Sequence, residues 1–285
     1  MSRPRTLDLD PGVRRSDVET ERGTFAAWLA EPHKTPLPHG HVLLVPGFTG
    51  SKEDFAPLLP LLADAGWSAG TYDQRGQFES AGAADDDYSL SGYAADLVAV
   101  ADALFGSGER SHVVGHSFGG LVAGTAAIEH PDTWASLTLM CSGPGAIGGE
   151  RGKAALAAAD VIDRDGLEAA WLLKERDERE RGFAPPPEDV AEFLHRRFRS
   201  NEPASLAAMA RLLGHAPDRT DDLAALKIPV ASVRGEHDTW QHAEQDALAK
   251  AVGTSVVVIP EAEHSPAVEA PVPTRDALVR IFLSS

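Results

Sequence analysis

Ser111-His112-Val113-Val114-Gly115-His116-Ser117-Phe118-Gly119-Gly120-Leu121-Val122-Ala123 is a short run of β-formers that ends in Gly-x-Ser-x-Gly and passes directly into small and apolar residues. The pattern predicts a strand, a sharp turn and a helix, with Ser117 at the bend. A serine on so tight a turn has strained backbone angles, and Gly115 and Gly119 carry no Cβ that would collide with the strand or the helix. Ser117 is thereby pushed out of the sheet, beside the unpaired amides at the start of the next helix. Such a turn supplies a nucleophile and half of an anion site.

Working outward, the chain alternates strands and helices. Upstream, His41-Val42-Leu43-Leu44-Val45 is a continuous apolar run of the kind buried inside a parallel sheet, and it stops at Pro46-Gly47-Phe48-Thr49-Gly50. Two early strands are expected over 18–20 and 24–30, joined around Gly23, and 34–40 reads as a surface connection. Ser51 is placed to cap a helix running to about Ala65, with Glu53 and Asp54 in its first turn. A strand over 67–72 breaks at Asp73-Gln74-Arg75-Gly76, and helical periodicity follows from Ser91 to about Phe105. Downstream of Ser117, apolar runs recur over 137–141, 228–233 and 255–259, with a closing helix over about 274–283. This order predicts an α/β fold with a mostly parallel, doubly wound sheet covered on both faces.

Between the runs at 137–141 and 228–233 the sequence changes character. From about Ile147 to Leu226 there is no strand-like run, much alanine and leucine, and a charged span over 174–181, which predicts a helical insertion. The charged span reads as a solvated helix face laced with i,i+4 pairs, and Pro185-Pro186-Pro187 separates two of its helices. The expected organisation is therefore a core of 1–146 and 227–285 with an insertion of 147–226.

A hydroxyl needs a base, and the base needs an orienting acid. Of eleven histidines, His264 lies in the loop after the last strand, on the sheet edge expected for Ser117. Asp238 follows the preceding strand in Val233-Arg234-Gly235-Glu236-His237-Asp238, and the order Ser, Asp, His suits this arrangement. His116 and His237 are rivals for the base, and Glu236, Glu261 and Glu263 for the acid. The backbone N–H of Phe118 and that of Phe48 are the expected oxyanion donors. Their rings either line an apolar acyl pocket or belong to the core.

A net charge of −17 argues against nucleic acid or an anionic membrane as partner. The single cysteine, Cys141, excludes an intrachain disulfide and fits a reducing compartment. No run reaches signal-peptide or membrane-spanning character, so a cytoplasmic location is expected. Gly143-Pro144-Gly145-Ala146-Ile147-Gly148 matches G-x-G-x-x-G, but its proline and late position do not suit dinucleotide binding. His237, Asp238, His242 and His264 lack the spacing of a metal set. No cofactor or metal is expected.

Gly115-His116-Ser117-Phe118-Gly119-Gly120, Asp73-Gln74-Arg75-Gly76-Gln77-Phe78-Glu79-Ser80, Gly235-Glu236-His237-Asp238 and Glu263-His264-Ser265 together resemble the α/β-hydrolase superfamily over nearly the whole chain. The resemblance is to the branch with a helical cap after the sixth strand, and it implies a triad of Ser117, Asp238 and His264 with oxyanion amides at Phe48 and Phe118. It departs from the usual pattern at Pro46-Gly47, where relatives commonly have His-Gly, so the bracing of the oxyanion loop must come from elsewhere. The implied activity is a serine esterase acting on a small to medium apolar ester. A C–C hydrolase or cofactor-free perhydrolase with the same residues is the alternative, and a non-catalytic ligand-binding protein on this fold a third.

Overall fold

A computed structural model describes residues 3–33, 39–238 and 242–285. Eight strands form one sheet in the order β1-β2-β4-β3-β5-β6-β7-β8. They are β1 (Val13–Thr20), β2 (Gly23–Ala30), β3 (His41–Val45), β4 (Ser68–Tyr72), β5 (Ser111–His116), β6 (Trp134–Met140), β7 (Val230–Gly235) and β8 (Val257–Ile259). From β4 to β8 the pairings are parallel, while β1 and β2 form an antiparallel hairpin that joins the edge at β4. The hairpin is longer than its sequence suggests. Four charged residues, Arg14, Arg15, Asp17 and Glu19, mask its first strand, which buries only Val13 and Val18. The part of the expected surface connection at 34–38 lies outside the described residues.

Alternation along the central strands sends side chains to two separate cores. Leu43, Val45, Val113 and Leu139 face α2 (Leu90–Phe105) and α3 (Phe118–Glu129), meeting Leu97, Val122 and Ala126. Val42, Leu44, Val114 and Met140 face the other way, onto Leu58, Leu62, Leu278 and Phe282. The expected helix over 51–65 is broken: a 3-10 turn, Lys52–Phe55, precedes α1 (Leu58–Asp64). Pro57, at the junction, has no N–H to continue a helical ladder.

After β6 the chain leaves the sheet through α4 (Gly149–Glu180), α5 (Glu188–Arg199), α6 (Pro203–His215) and α7 (Thr220–Ala224). This helical segment has a core of its own, with Ile162, Trp171, Phe193, Phe198 and Leu206, against which Phe48 and Phe78 of the sheet region pack. Its two ends are stitched together. Ala146 and Ile147 donate their N–H groups to Ala216 and Leu213 at 3.0 and 2.7 Å, and Arg219 donates to Pro144 at 3.1 Å. The G-x-G-x-x-G stretch is thus one half of the junction where the insertion departs and returns. The chain closes with α8 (His242–Ala251), α9 (Pro266–Glu269) and α10 (Pro271–Leu283). No helix among the described residues is long and apolar enough to cross a membrane.

One buried residue makes stability depend on pH. His112, on β5, bonds Ser136 at 2.7 Å and lies 4.6 and 5.1 Å from the rings of Phe282 and Trp67. Burial, with help from Arg110, pushes it from 6.5 down to about 4. The unfolded chain therefore takes up this proton at a higher pH than the folded one does, so stability falls as pH drops from 6.5 toward 4. Thermal melts across that range should show a falling midpoint, with a shallower slope in His112→Asn.

Candidate active site

Parallel strands end on one edge, and three loops on that edge carry the residues singled out in the sequence. Ser117 sits between β5 and α3 at φ 53 and ψ −119, a left-handed backbone that a serine adopts only under constraint. The constraint is visible. A Cβ on Gly115 would strike the backbone of Gly119 and Gly120, and one on Gly119 would strike the Val45 and Pro46 carbonyls. Phe118 opens α3, so its N–H is among those a first helical turn leaves without an intrahelical partner.

Asp238 and His264 meet. His264 Nδ1 lies 3.1 Å from Asp238 Oδ1, and the carboxylate is only 2% exposed. A carboxylate can only accept, so Nδ1 carries the proton and Nε2 is the basic nitrogen. The loops bearing the two are laced together by His237 N–H to Ala262 O at 2.8 Å and Glu236 N–H to Ile259 O at 2.9 Å. Of the rival acids, Glu236, Glu261 and Glu263 are exposed.

Two further groups fix His264, one of which stood in the sequence only as a rival base. His116 Nε2 donates to the His264 backbone carbonyl at 2.6 Å, with the two rings 5.1 Å apart. Burial, followed by the neighbouring imidazole, pushes His116 down to about 3, which keeps it a neutral donor. From α9, the Glu269 carboxylate accepts N–H bonds from Glu263 at 2.7 Å and Ser265 at 3.2 Å, one on each side of His264. His116 thus binds the imidazole's loop directly to the residue before Ser117.

Phe48 and Phe118 divide. The Phe118 ring is fully buried, edge-on to Tyr93 at 5.6 Å, and belongs to the core. Phe48 is half-buried between the sheet core and the helical segment. Its loop approaches the serine closely: a Cβ on Gly47 would lie 3.0 Å from Ser117 Cβ. Beside Ser117 opens a cleft with about 10 Å³ of accessible space, lined by Leu121, Cys141, Ser142, Ile147 and Leu213 among others and, among the described residues, by no charged side chain.

Two groups of potential metal ligands gather among the described residues, neither of them the set drawn from the sequence. Atoms of His116, Cys141 and His264 lie within 4.8 Å of one another. Their chemistry suits a metal poorly, because His116 Nε2 is engaged by a carbonyl and burial, then Asp238, pushes the Cys141 thiol well up. The other, Glu236, His237 and Glu261, is exposed on the rim.

A sequence model of the alpha/beta hydrolase family matches residues 42–277. A protein of Variovorax paradoxus provisionally named carbamate hydrolase RutD is 40% identical over 99 residues, 35% of this chain and 36% of its own length. The chain thus spans well under half of that relative. Among solved structures, a thermophilic esterase of Thermogutta terrifontis superposes with TM-score 0.75 at 24% identity, covering 95% of this chain and 98% of that one. An enol-lactonase of Burkholderia xenovorans gives TM-score 0.74 at 20% identity, covering 95% and 100%. At such identities the likeness is one of fold.

Proposed function

The chain belongs to the alpha/beta hydrolase family, and on that premise we propose that it is a serine hydrolase cleaving a small, neutral carboxylic ester through an acyl-enzyme. The observation that carries this reading is the Asp238–His264 contact of 3.1 Å, on the same sheet edge as a serine held at φ 53.

Ser117 Oγ attacks the ester carbonyl carbon while His264 Nε2 takes its proton, and Asp238 holds the imidazolium that forms. The negative oxygen of the tetrahedral intermediate is received by the N–H groups of Phe48 and Phe118. His264 returns the proton to the leaving alcohol, leaving an ester on Ser117. Water then attacks by the same route, and the carboxylic acid departs. The helical segment over 147–226 acts as a cap, its Ile147 and Leu213 walling the acyl side of the cleft.

Size and charge point to the substrate. The cleft's accessible space of about 10 Å³ is far below the roughly 300–1,000 Å³ of drug-sized pockets, which favours short acyl chains. Among the described residues its lining has no cation to hold an anionic substrate such as a carbamate ion, whereas a neutral ester needs none. A panel of p-nitrophenyl esters from acetate to palmitate, with carbamates, amides and a diketone beside them, tests this. Acetate to butyrate should turn over fastest, with kcat/KM falling by about tenfold or more by octanoate, on the scale of 1–3 kcal/mol for misfitting methylenes. A preference for the diketone or the carbamate would displace the ester reading.

A further inference from the structure

Phe48 belongs to the loop after β3, where Pro46 has no N–H of its own to hold the turn. Two side-chain amides from the β4–α2 loop hold its carbonyls. Gln74 Nε2 donates to the Pro46 carbonyl and Gln77 Nε2 to the Gly47 carbonyl, both at 2.9 Å. Both glutamines are almost wholly buried, at 1% and 0% exposure. Gln77 is also held at its other end, its Oε1 accepting the Gln74 N–H at 3.2 Å, which leaves Nε2 directed at Gly47.

The second contact bears on the reaction. The Gly47 C=O and the Phe48 N–H belong to one peptide unit, which is planar, and no peptide bond among the described residues is cis. In a trans peptide the oxygen and the hydrogen point in opposite directions. The Gly47 oxygen also accepts the Gly50 N–H at 3.0 Å, so the turn and the Gln77 amide together fix the oxygen, and with it the hydrogen on the other side, with Gly47 itself packed against Ser117 and His116.

The glutamines stand on an anchored loop. The Arg75 and Gly76 carbonyls accept Ser205 Oγ at 2.9 Å and Glu202 N–H at 2.7 Å, both from the start of α6. The Arg75 guanidinium grips Asp96 with two bonds of 2.7 Å. Lys52 closes the frame from the oxyanion side, its N–H and Nζ bonding the Asp73 carboxylate at 2.8 and 2.7 Å.

We propose that Gln77, backed by Gln74, is the positioning residue of the oxyanion hole: by clamping the Gly47 carbonyl it aims the Phe48 N–H at the charge that develops during attack. This rests on the serine-hydrolase reading above. Gln77 touches no substrate and acts through the peptide it holds. A donor aimed before the reaction needs no reorganisation during it, and that is the source of its value to the transition state.

The test compares wild type, Gln74→Met and Gln77→Met on p-nitrophenyl acetate and on its thiono counterpart, whose sulfur gains little from an oxyanion donor. For Gln77→Met, kcat on the oxo ester should fall about tenfold to a hundredfold, part of the 10²–10³ that a whole oxyanion donor contributes. KM should stay within about twofold, and the oxo-to-thiono rate ratio should shrink along with kcat. Gln74→Met should act in the same direction and more weakly. A variant with lower thermal stability but an unchanged rate ratio would show that the glutamine merely satisfies a buried carbonyl, and would overturn the proposal. If Gln77→Met does not fold, Gln77→Asn, which withdraws the amide by one methylene, carries the same comparison. A wild type that hydrolyses no ester and takes no fluorophosphonate label removes the serine-hydrolase reading and the brace with it. An active wild type with an unmoved ratio in the variants removes the brace alone.

Discussion

Ser117→Ala lowers ester hydrolysis by about 10⁴-fold or more and abolishes labelling by a fluorophosphonate, because the variant keeps the anion site but has no atom that can become acylated. The fold should survive: an alanine adds nothing to the Cβ already accommodated at φ 53. Asp238→Asn should come close to it, at about 10⁴-fold in kcat. An asparagine turning its NH₂ toward His264 Nδ1 favours the tautomer whose proton sits on Nε2, where the base is needed. Glu263→Gln is the control. Its backbone N–H, not its carboxylate, makes the bond to Glu269 near the site, so its rate should stay within about twofold of wild type. Equal losses in Asp238→Asn and Glu263→Gln would show that Asp238 is not the orienting acid.

What could be read from the sequence was what local chemistry dictates. Gly-x-Ser-x-Gly after an apolar run marks the turn at Ser117 because few other residues fit it, and His41–Val45 is uniform enough to show its own limits. Asp238 and His264 could be found because each follows a strand and so returns to the same edge. Contacts between loops distant in sequence left no such mark. Gln74 and Gln77 are 28 and 30 residues from the carbonyls they hold, and the family resemblance implied only that something must brace the loop at Pro46. Glu269 was hidden for the same reason, its carboxylate serving two backbone groups rather than a side chain. The helix α8 went unread because of its ten residues only Gln245, Leu248 and Ala249 are buried, too little for an apolar stripe. Nor did anything mark out Arg197, which stands beside Arg196 and Arg199 in a basic run that would suit a solvated face.

Arg197 is instead fully buried, and it joins the helical segment to the loop after β3. Its Nη1 lies 2.7 Å from Asp54 Oδ1 and 3.2 Å from Ser51 Oγ, while Asp54 also accepts the Ser51 N–H at 3.4 Å. Arg197→Met should lower unfolding stability by about 3–5 kcal/mol, the cost of leaving one member of a buried pair uncompensated. The loss should depend on pH in a set direction. Burial already pushes Asp54 up from 3.8, against the pull of Arg197. With the guanidinium gone its folded pKa rises further, so the folded variant prefers the protonated acid. Its stability relative to wild type is then best in acid and falls as pH rises from about 4 toward 7, which urea denaturation at pH 5 and pH 7 would read. Adding Asp54→Leu should recover most of the loss, since an apolar pair needs no counter-charge and replacement of whole buried pairs is often neutral or better. If Arg197→Met and the double variant lose equally at both pH values, the damage comes from missing side-chain volume, and the ion pair does not hold the helical segment to the sheet.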